Sequence, residues 1–500
     1  MSLLGVDIGT SGCKAVAFSE SGRMLFGSHQ NYQLSFPMPN HCELDPSVVW
    51  ASVMRVIHCV SNEVKAYDPI QAIGFSSLAD SVTPVDSSGN HLANTIVGST
   101  DRRAINEAER IKEIVGSETV FKLTGLPVHS MYAVPKIMWL KKHKPDLYSK
   151  AYKFVGWTEL VQMKLGLSPI MDFSMGSRTL GMNIKTKSWD SKLIDCLGID
   201  KEKFNPLDHS YRVVGEIDKK YAEPLALERG VVIVPGGFDQ SCAALGVGVH
   251  SVDRAALSIG TCAVITAVTD TCNLSNQLLI GNHGCNAHVF EDKYISIAVL
   301  VSGGSVLRWY RDTIGELEAM RAQKLGKDPY EYIISLANDA PSKLFVVPYF
   351  AGCGTPKLNP NKKGIFFGLT LDTDRSQIVK ALLEGICYEL RLNIESLRQA
   401  GLDINHLRAV GGGSRSDRWM QLHADILGIP IEVTDVNEAG CRGAAFLAGY
   451  GKGIYTSQDD IIDMVKVKKI YEPRSNVSQI YDETYNNYKS LLHCLENVNL

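Results

Sequence analysis

Long apolar runs are missing from this 500-residue chain. None approaches the length needed to span a bilayer, and the longest, such as Gly230 to Gly237, are strand-sized. The first residues, Met1 to Asp7, lack the basic flank and apolar stretch of a secretory signal. An excess of one charge is also missing. The formal net charge is -3, so nothing draws the chain over long range to nucleic acid or anionic membrane. The densest cationic run, Lys141 to Lys144, reads as a solvated helix end. Twelve cysteines are present without a CxxC pair or matching histidine spacing, which argues against a zinc site and a disulfide framework. Cys242 and Cys387 lie in apolar segments and read as buried thiols. The expected setting is a reducing cytoplasm, with neither nucleic acid nor membrane as partner.

What remains is ordinary globular composition, 45% hydrophobic and 21% charged, long enough for two domains. Short β-branched runs at Gly5 to Gly9, Ala15 to Phe18, Ala72 to Phe75 and Val231 to Val234 alternate with helical patterns. Asp45-Pro46-Ser47 opens a helix that runs through Val56. This alternation predicts an α/β chain with mixed sheets. An internal repeat sharpens the prediction. Leu4 to Thr10 is echoed by Ala255 to Thr261, with Gly9 and Gly260 separated by 251 residues, about half the chain. Each copy reads strand, Gly-Thr turn, strand. We therefore expect two similar domains, 1–248 and 249–455, each opening with a hairpin. Residues 456–500 are expected to form an exposed C-terminal helical segment and tail.

Four segments carry candidate chemistry. In Asp7-Ile8-Gly9-Thr10-Ser11-Gly12-Cys13-Lys14 the glycines let the backbone approach an anion. Successive N–H groups and the hydroxyls of Thr10 and Ser11 can hold phosphate oxygens. Asp7 can orient Mg²⁺, a cation that keeps most of its waters. A strand follows where a Walker A loop would have a helix. Ser258-Ile259-Gly260-Thr261 is the second such turn, and two facing hairpins could clamp one triphosphate. Pro235-Gly236-Gly237-Phe238-Asp239-Gln240-Ser241 joins a strand to a helix. Asp239 there reads either as an N-cap or as the carboxylate that accepts an alcohol proton during phosphoryl transfer. Finally, Gly411-Gly412-Gly413 followed by Ser416 and Asp417 makes a strand-to-helix turn on which a base or ribose can lie, with Ser416 or Asp417 as cap.

In this order and spacing, the four segments resemble the FGGY carbohydrate kinases of the actin/hexokinase-like ATPase superfamily. Lys136-Ile137-Met138-Trp139, Asp172 to Thr179, Pro348 to Gly352 with Thr355-Pro356, and Gly364 to Leu369 resemble further family stretches. So does Glu438 to Ala445, with Arg442 where the family carries Leu. The resemblance runs from Gly5 to about Gly453. It implies two RNase H-like domains around an interdomain cleft, ATP and Mg²⁺ as cofactors, a small sugar as substrate, and Asp239 as catalytic base. It puts Asp7 at the metal and Gly9, Thr10, Ser11, Lys14, Gly260 and Thr261 at the phosphates. Gly304, Gly412, Gly413 and Ser416 fall at the nucleoside, and a homodimer is the expected assembly.

Departures from the family bear on the substrate. Xylulokinases carry Gln-Met-His, and glycerol kinases an Arg-Glu pair, where this chain reads Ser77-Leu78-Ala79-Asp80-Ser81. The gluconate kinase pattern Ser-Ser-Ala-Met-His-Ser is half matched by Ser76 to Ser81. The Trp of the family's Trp-x-Asp-x-Arg is lost before Asp101 and Arg103. Asp80, Asp101, Arg103, Asp239 and Gln240 are the expected sugar contacts. Carboxylates such as Asp80 accept bonds from hydroxyls and repel a carboxylated substrate unless Arg103 compensates. A neutral ketose such as a pentulose is therefore expected, with gluconate or a polyol as alternative. An actin- or chaperone-like ATPase and an inactive sugar sensor are the competing classes.

Overall fold

A computed structural model describes residues 1–496. Two large sheets organise the chain. The first has six strands in the order Gly215–Glu216, Val232–Phe238, Ile70–Ser77, Ser2–Ile8, Gly12–Ser19, Met24–Asn31. The second has seven, in the order Cys285–Ala287, Tyr294–Leu300, Ala263–Thr269, Arg254–Ile259, His406–Val410, Ile431–Thr434, Val467–Tyr471. Each contains the same five-strand pattern. A central strand is flanked on one side by an antiparallel hairpin and a third antiparallel strand, and on the other by two parallel strands. The sequence repeat is thus a repeat of topology. Both hairpins leave their central strand at the same end, beside the carboxyl ends of the parallel strands, where open α/β sheets bind ligands.

Local signals account for the elements. The helix Pro46–Val64 starts where Asp45 accepts a hydrogen bond from Ser47 N at 2.8 Å, with Pro in its first turn. The parallel strands Val232–Phe238 and Ile70–Ser77 are mostly apolar and almost wholly buried, as strands covered on both faces must be.

Chain order does not divide the molecule cleanly near Gly248. The helix Ala439–Lys452 follows a strand of the second sheet, yet it packs on the first sheet, against Ser2–Ile8 and Ile70–Ser77, and crosses the helix Asp239–Gly246. The crossing is close: a Cβ on Gly443 would lie 1.9 Å from Cys242 O. Arg442, on the same helix, is 1% exposed and pairs with Asp435 at 2.9 Å while donating to Met464 O at 2.9 Å. These two helices join the sheets.

The C-terminal segment is neither exposed nor purely helical. Val467–Tyr471 is the edge strand of the second sheet. The helix Ser475–Glu496 buries Tyr481, Tyr485, Tyr488 and Leu492 in the core beside the long helix Arg375–Gln399. Burial there is driven by tyrosines, whose rings fill the core while their hydroxyls reach Glu384, Glu395 and Glu389 at 3.1, 2.8 and 2.7 Å. The tail residues 497–500 lie outside the described residues. Among the described residues, no helix is long and apolar enough to cross a membrane.

Candidate active site at the seam between the sheets

Asp7 is the last residue but one of the central strand of the first sheet. Ser76, at the end of the neighbouring parallel strand, donates to its Oδ1 at 2.6 Å. The turn Gly9 to Gly12 is closed by Gly9 N donating to Gly12 O at 2.9 Å. Tyr32 Oη braces it by donating to the carbonyls of Gly9 and Gly12 at 2.6 and 3.0 Å. Thr10 and Ser11 lie at the tip. Lys14 pairs at 2.9 Å with Glu438, the residue just ahead of the joining helix Ala439–Lys452. A segment of the second half of the chain therefore closes on the first hairpin. Burial raises the Asp7 carboxyl above the usual carboxylate range, and Ser76 and Lys14 offset part of this.

Asp239 is the first residue of the helix Asp239–Gly246, and Phe238 occupies the N-cap position with no side-chain cap bond. The N-cap reading of Asp239 is therefore set aside, and its carboxylate is not spent on the helix. Gln240 Nε2 donates to Oδ1 at 3.3 Å. Burial pushes the carboxyl up to about 7, the Asp7 charge adds to the rise, and Gln240 and Arg178 oppose it. The strand before it is bulged, its register with Ile70–Ser77 shifting between Val234 and Gly237. Gly236 makes the bulge at φ 67°, where a Cβ would stand 1.6 Å from Phe75 O. Phe238 packs in one cluster with Ala256, Val410 and Ala439, so Asp239 stands where the two sheets meet.

The second hairpin is assembled differently. Gly260 N donates to Cys262 O at 2.9 Å, and Gly304 N donates to Gly260 O at 2.8 Å. The start of the helix Gly304–Thr313 is thereby docked on the turn. Arg308, one turn along, reaches Thr261 Oγ1 at 3.4 Å. The triple glycine packs on the same strand end: a Cβ on Gly413 would lie 2.4 Å from Ile259 Cγ2, whereas Gly412 faces open space. Gly260, Thr261, Gly304, Gly412 and Gly413 are thus brought together. Ser416 is committed elsewhere, as the cap of the helix Asp417–Leu427, accepting from Trp419 N at 3.4 Å.

The expected sugar contacts separate into two groups. Asp101 and Arg103 form an internal network. Asp101 Oδ2 accepts from Cys42 N at 2.7 Å and from Arg103 Nε at 2.9 Å. Arg103 also holds Glu43 at 2.9 Å and stacks over Trp139 at 5.1 Å. Asp80 is different. It pairs with Arg178 at 2.7 Å, and the Arg178 guanidinium lies 5.0 Å from the ring of Phe238, next to Asp239. Lys136, fully buried, donates to the carbonyls of Asp80 and Gly98 at 2.7 and 3.0 Å and also to Met131 O, holding Asp80 at φ 66°. Burial lowers the Lys136 ammonium to about 8. Arg178, Lys136, Ser76 and Arg308 are further candidates that the motifs alone do not mark. Arg178 and Lys136 sit inside segments already singled out, but nothing local marks their partners.

Among the described residues, no group of three or more His, Cys, Asp or Glu side chains gathers as a metal cage. Mg²⁺ bound through one carboxylate, waters and phosphate oxygens needs no such cage, so Asp7 fits that kind of ion. A cavity of about 420 Å³ lined by Tyr349, Lys357, Lys362 and Leu492 lies beneath the C-terminal helix, away from this seam.

Residues 2–246 match the FGGY family of carbohydrate kinases, N-terminal domain, and residues 255–451 match its C-terminal domain. This chain belongs to the FGGY family of carbohydrate kinases. It is 30% identical over 500 residues to a gluconokinase of Bacillus licheniformis, covering 99% of this chain and 96% of that protein. With a xylulose kinase of Staphylococcus xylosus the identity is 26%, over 98% of this chain and 99% of the relative. A ligand-bound xylulose kinase structure from Lactobacillus acidophilus superposes with a TM-score of 0.88 at 25% identity, covering 99% of this chain and 98% of that one. The fold is therefore the two-domain actin/hexokinase-like ATPase fold, and the chain is a carbohydrate kinase with ATP as its phosphoryl donor. Membership of the FGGY family sets aside the reading as an actin- or chaperone-like ATPase.

Proposed function

We propose that this FGGY kinase phosphorylates a hydroxyl of a neutral ketose or polyol of about pentulose size, with Asp239 as general base. One observation carries the substrate reading. Asp80 Oδ1 and Arg178 Nε are buried and have no hydrogen-bond partner among the described residues. An unmet acceptor and an unmet donor on one ion pair suit hydroxyl groups, which donate and accept. A substrate carboxylate would satisfy Arg178 and confront Asp80. Leaving such a buried group unmet costs about 1–3 kcal/mol, roughly a 5- to 150-fold preference. Arg103, which could have compensated, is already shared by Asp101 and Glu43.

In this reading the acceptor hydroxyl lies between the Asp80–Arg178 pair and Asp239. Asp239 accepts its proton as the oxygen bonds to the terminal phosphorus and the ADP oxygen leaves. The backbone N–H groups and hydroxyls of the Gly9-Thr10-Ser11 and Gly260-Thr261 turns hold the phosphate oxygens, and Arg308 adds positive charge beside Thr261. Asp7, through water, would hold Mg²⁺, which neutralises charge on the phosphates. Gly304, Gly412 and Gly413 offer side-chain-free surface for the nucleoside.

The test is an ADP-release screen over pentuloses, hexuloses, pentitols, glycerol and gluconate. A neutral ketose or polyol should give the highest kcat/KM. Preference for gluconate would overturn the substrate reading. Undiminished transfer by Asp239→Asn would remove Asp239 from the chemistry.

A further inference from the structure

We infer that Asp172 is a positioning residue for Asp239, acting through two serines that secure the unpaired edge of the strand leading to it. The inference rests on Asp239 being the base. It begins with an incomplete ladder. On its outer side, Val232–Phe238 is paired with Gly215–Glu216 only at Val232 and Ile233. Past that point the outward N–H groups have no neighbouring strand, and an unmet buried N–H would let the strand end shift. Two surrogates fill the gap. Gly236 N donates to Ser210 O at 2.9 Å, and Phe238 N donates to Ser174 Oγ at 2.9 Å.

Both surrogates are held by one oxygen. Ser174 Oγ donates to Asp172 Oδ2 at 2.5 Å, and Ser210 Oγ donates to the same atom at 2.7 Å. Donation by Ser174 leaves its oxygen lone pairs facing Phe238 N–H. Asp172 is 1% exposed, and its own helix uses it as a cap, through Ser174 N at 2.8 Å and Met175 N at 3.2 Å. Capping alone requires neither serine hydroxyl. Strand and carboxylate also approach too closely for a side chain between them. A Cβ on Gly237 would stand 2.6 Å from Ser174 Oγ and 3.1 Å from Asp172 Oδ2. The residue immediately before Asp239 is therefore fixed by a bond from its amide through Ser174 to Asp172. A displacement of about 1 Å at a reacting group can cost ~100-fold in rate.

The experiment compares Ser174→Ala, Asp172→Asn, Ser210→Ala, Ser174→Thr and Asp239→Asn in the full chain. ATP and the best acceptor from the screen above are the substrates. Ser174→Ala and Asp172→Asn should lose ~10- to 100-fold in kcat, with KM for ATP nearly unchanged and a folded protein by thermal melting. Ser210→Ala, which keeps its carbonyl, should lose less. Ser174→Thr restores the hydroxyl and should recover most of the rate. Wild-type kcat in Ser174→Ala would overturn the inference. So would failure of Ser174→Ala and Asp172→Asn alike to fold, which marks a structural role, and so would no recovery with Thr. If Asp239→Asn turns over normally, the base assignment itself has failed. If Asp239→Asn is inactive while Ser174→Ala is normal, only the positioning role falls.

Discussion

Replacing Asp239 with Asn should stabilise the empty protein at alkaline pH while abolishing transfer. The carboxyl is held at about 7 against an ordinary value of 3.8, mainly by burial. Between those limits the folded state keeps a proton that the unfolded state has released. Stability therefore falls as pH rises, by about 1.4 kcal/mol per pH unit. Roughly three units give ~4 kcal/mol by pH 8, and partial solvent contact trims this to about 2–4 kcal/mol. Asn carries no charge and escapes the loss. For a lobe of this size, 1 kcal/mol is worth about 2–4 °C in Tm. The variant should melt close to wild type at pH 4, pull ahead through pH 5 to 7, and level off about 4–16 °C higher near pH 8. The comparison must be made without nucleotide and with chelator present. Other buried acids, Glu159, Asp172, Glu384 and Glu389, titrate in the same window. They are common to both proteins and cancel in the difference. Parallel Tm–pH curves from pH 5 to 8 would refute the argument that Asp239 is strained by burial and by Asp7.

Arg178→Met should cost about 3–5 kcal/mol in stability, because it leaves the Asp80 carboxylate buried and unpaired. Denaturant melts measure this, and pairing it with Asp80→Leu should recover much of the loss. Gly236→Ala should yield little folded protein, since the new Cβ would collide with Phe75 O at 1.6 Å; circular dichroism and expression yield would show it. Tyr488→Phe should cost about 1–3 kcal/mol, because buried Glu389 loses the 2.7 Å donor and keeps only Tyr349 at 3.0 Å. An unchanged melt would mean that Glu389 is held protonated and needs no second donor.

Local features of the chain were legible and distant pairings were not. The Gly-Thr turns could be read because glycine, hydroxyl and flanking strand lie within a few residues. Their recurrence at half the chain length marks the duplicated topology. Asp239 was legible as a carboxylate at a strand end, but not as uncapped. Only the bulge at Gly236 decides where its helix begins. The partner of Asp80 lies 98 residues away at Arg178, and nothing near Arg103 signals that it is shared between Asp101 and Glu43. The C-terminal helix misled for a different reason. Its buried face, Tyr481, Tyr485, Tyr488 and Leu492, has helical spacing, but tyrosine is amphipathic and the intervening residues are polar. The apolar demand came from the helix Arg375–Gln399, which no local reading connects to it.

The two halves share one topology and, in the function proposed above, divide the chemistry. The first sheet contributes carboxylates at its strand ends, Asp7 and Asp239, together with the Asp80–Arg178 pair. The second contributes backbone N–H groups, glycine surface and Arg308, and its carboxylate at the seam, Glu438, is paired with Lys14. Such a division follows from the reaction. A triphosphate needs donors, and an alcohol needs an acceptor for its proton. Two nearby carboxylates resist ionising together, so the empty first half tends to hold a proton on Asp239 near neutrality. Asp7 would hold Mg²⁺ through water, and positive charge there would oppose protonation of Asp239. The base is therefore expected to become competent when the metal–nucleotide complex arrives. Addition of Mg²⁺ and ADP should move the alkaline loss of stability attributed to Asp239 to lower pH and shrink it. If the Tm difference between wild type and Asp239→Asn were indifferent to that addition, the two carboxylates would not be electrostatically joined through the nucleotide site.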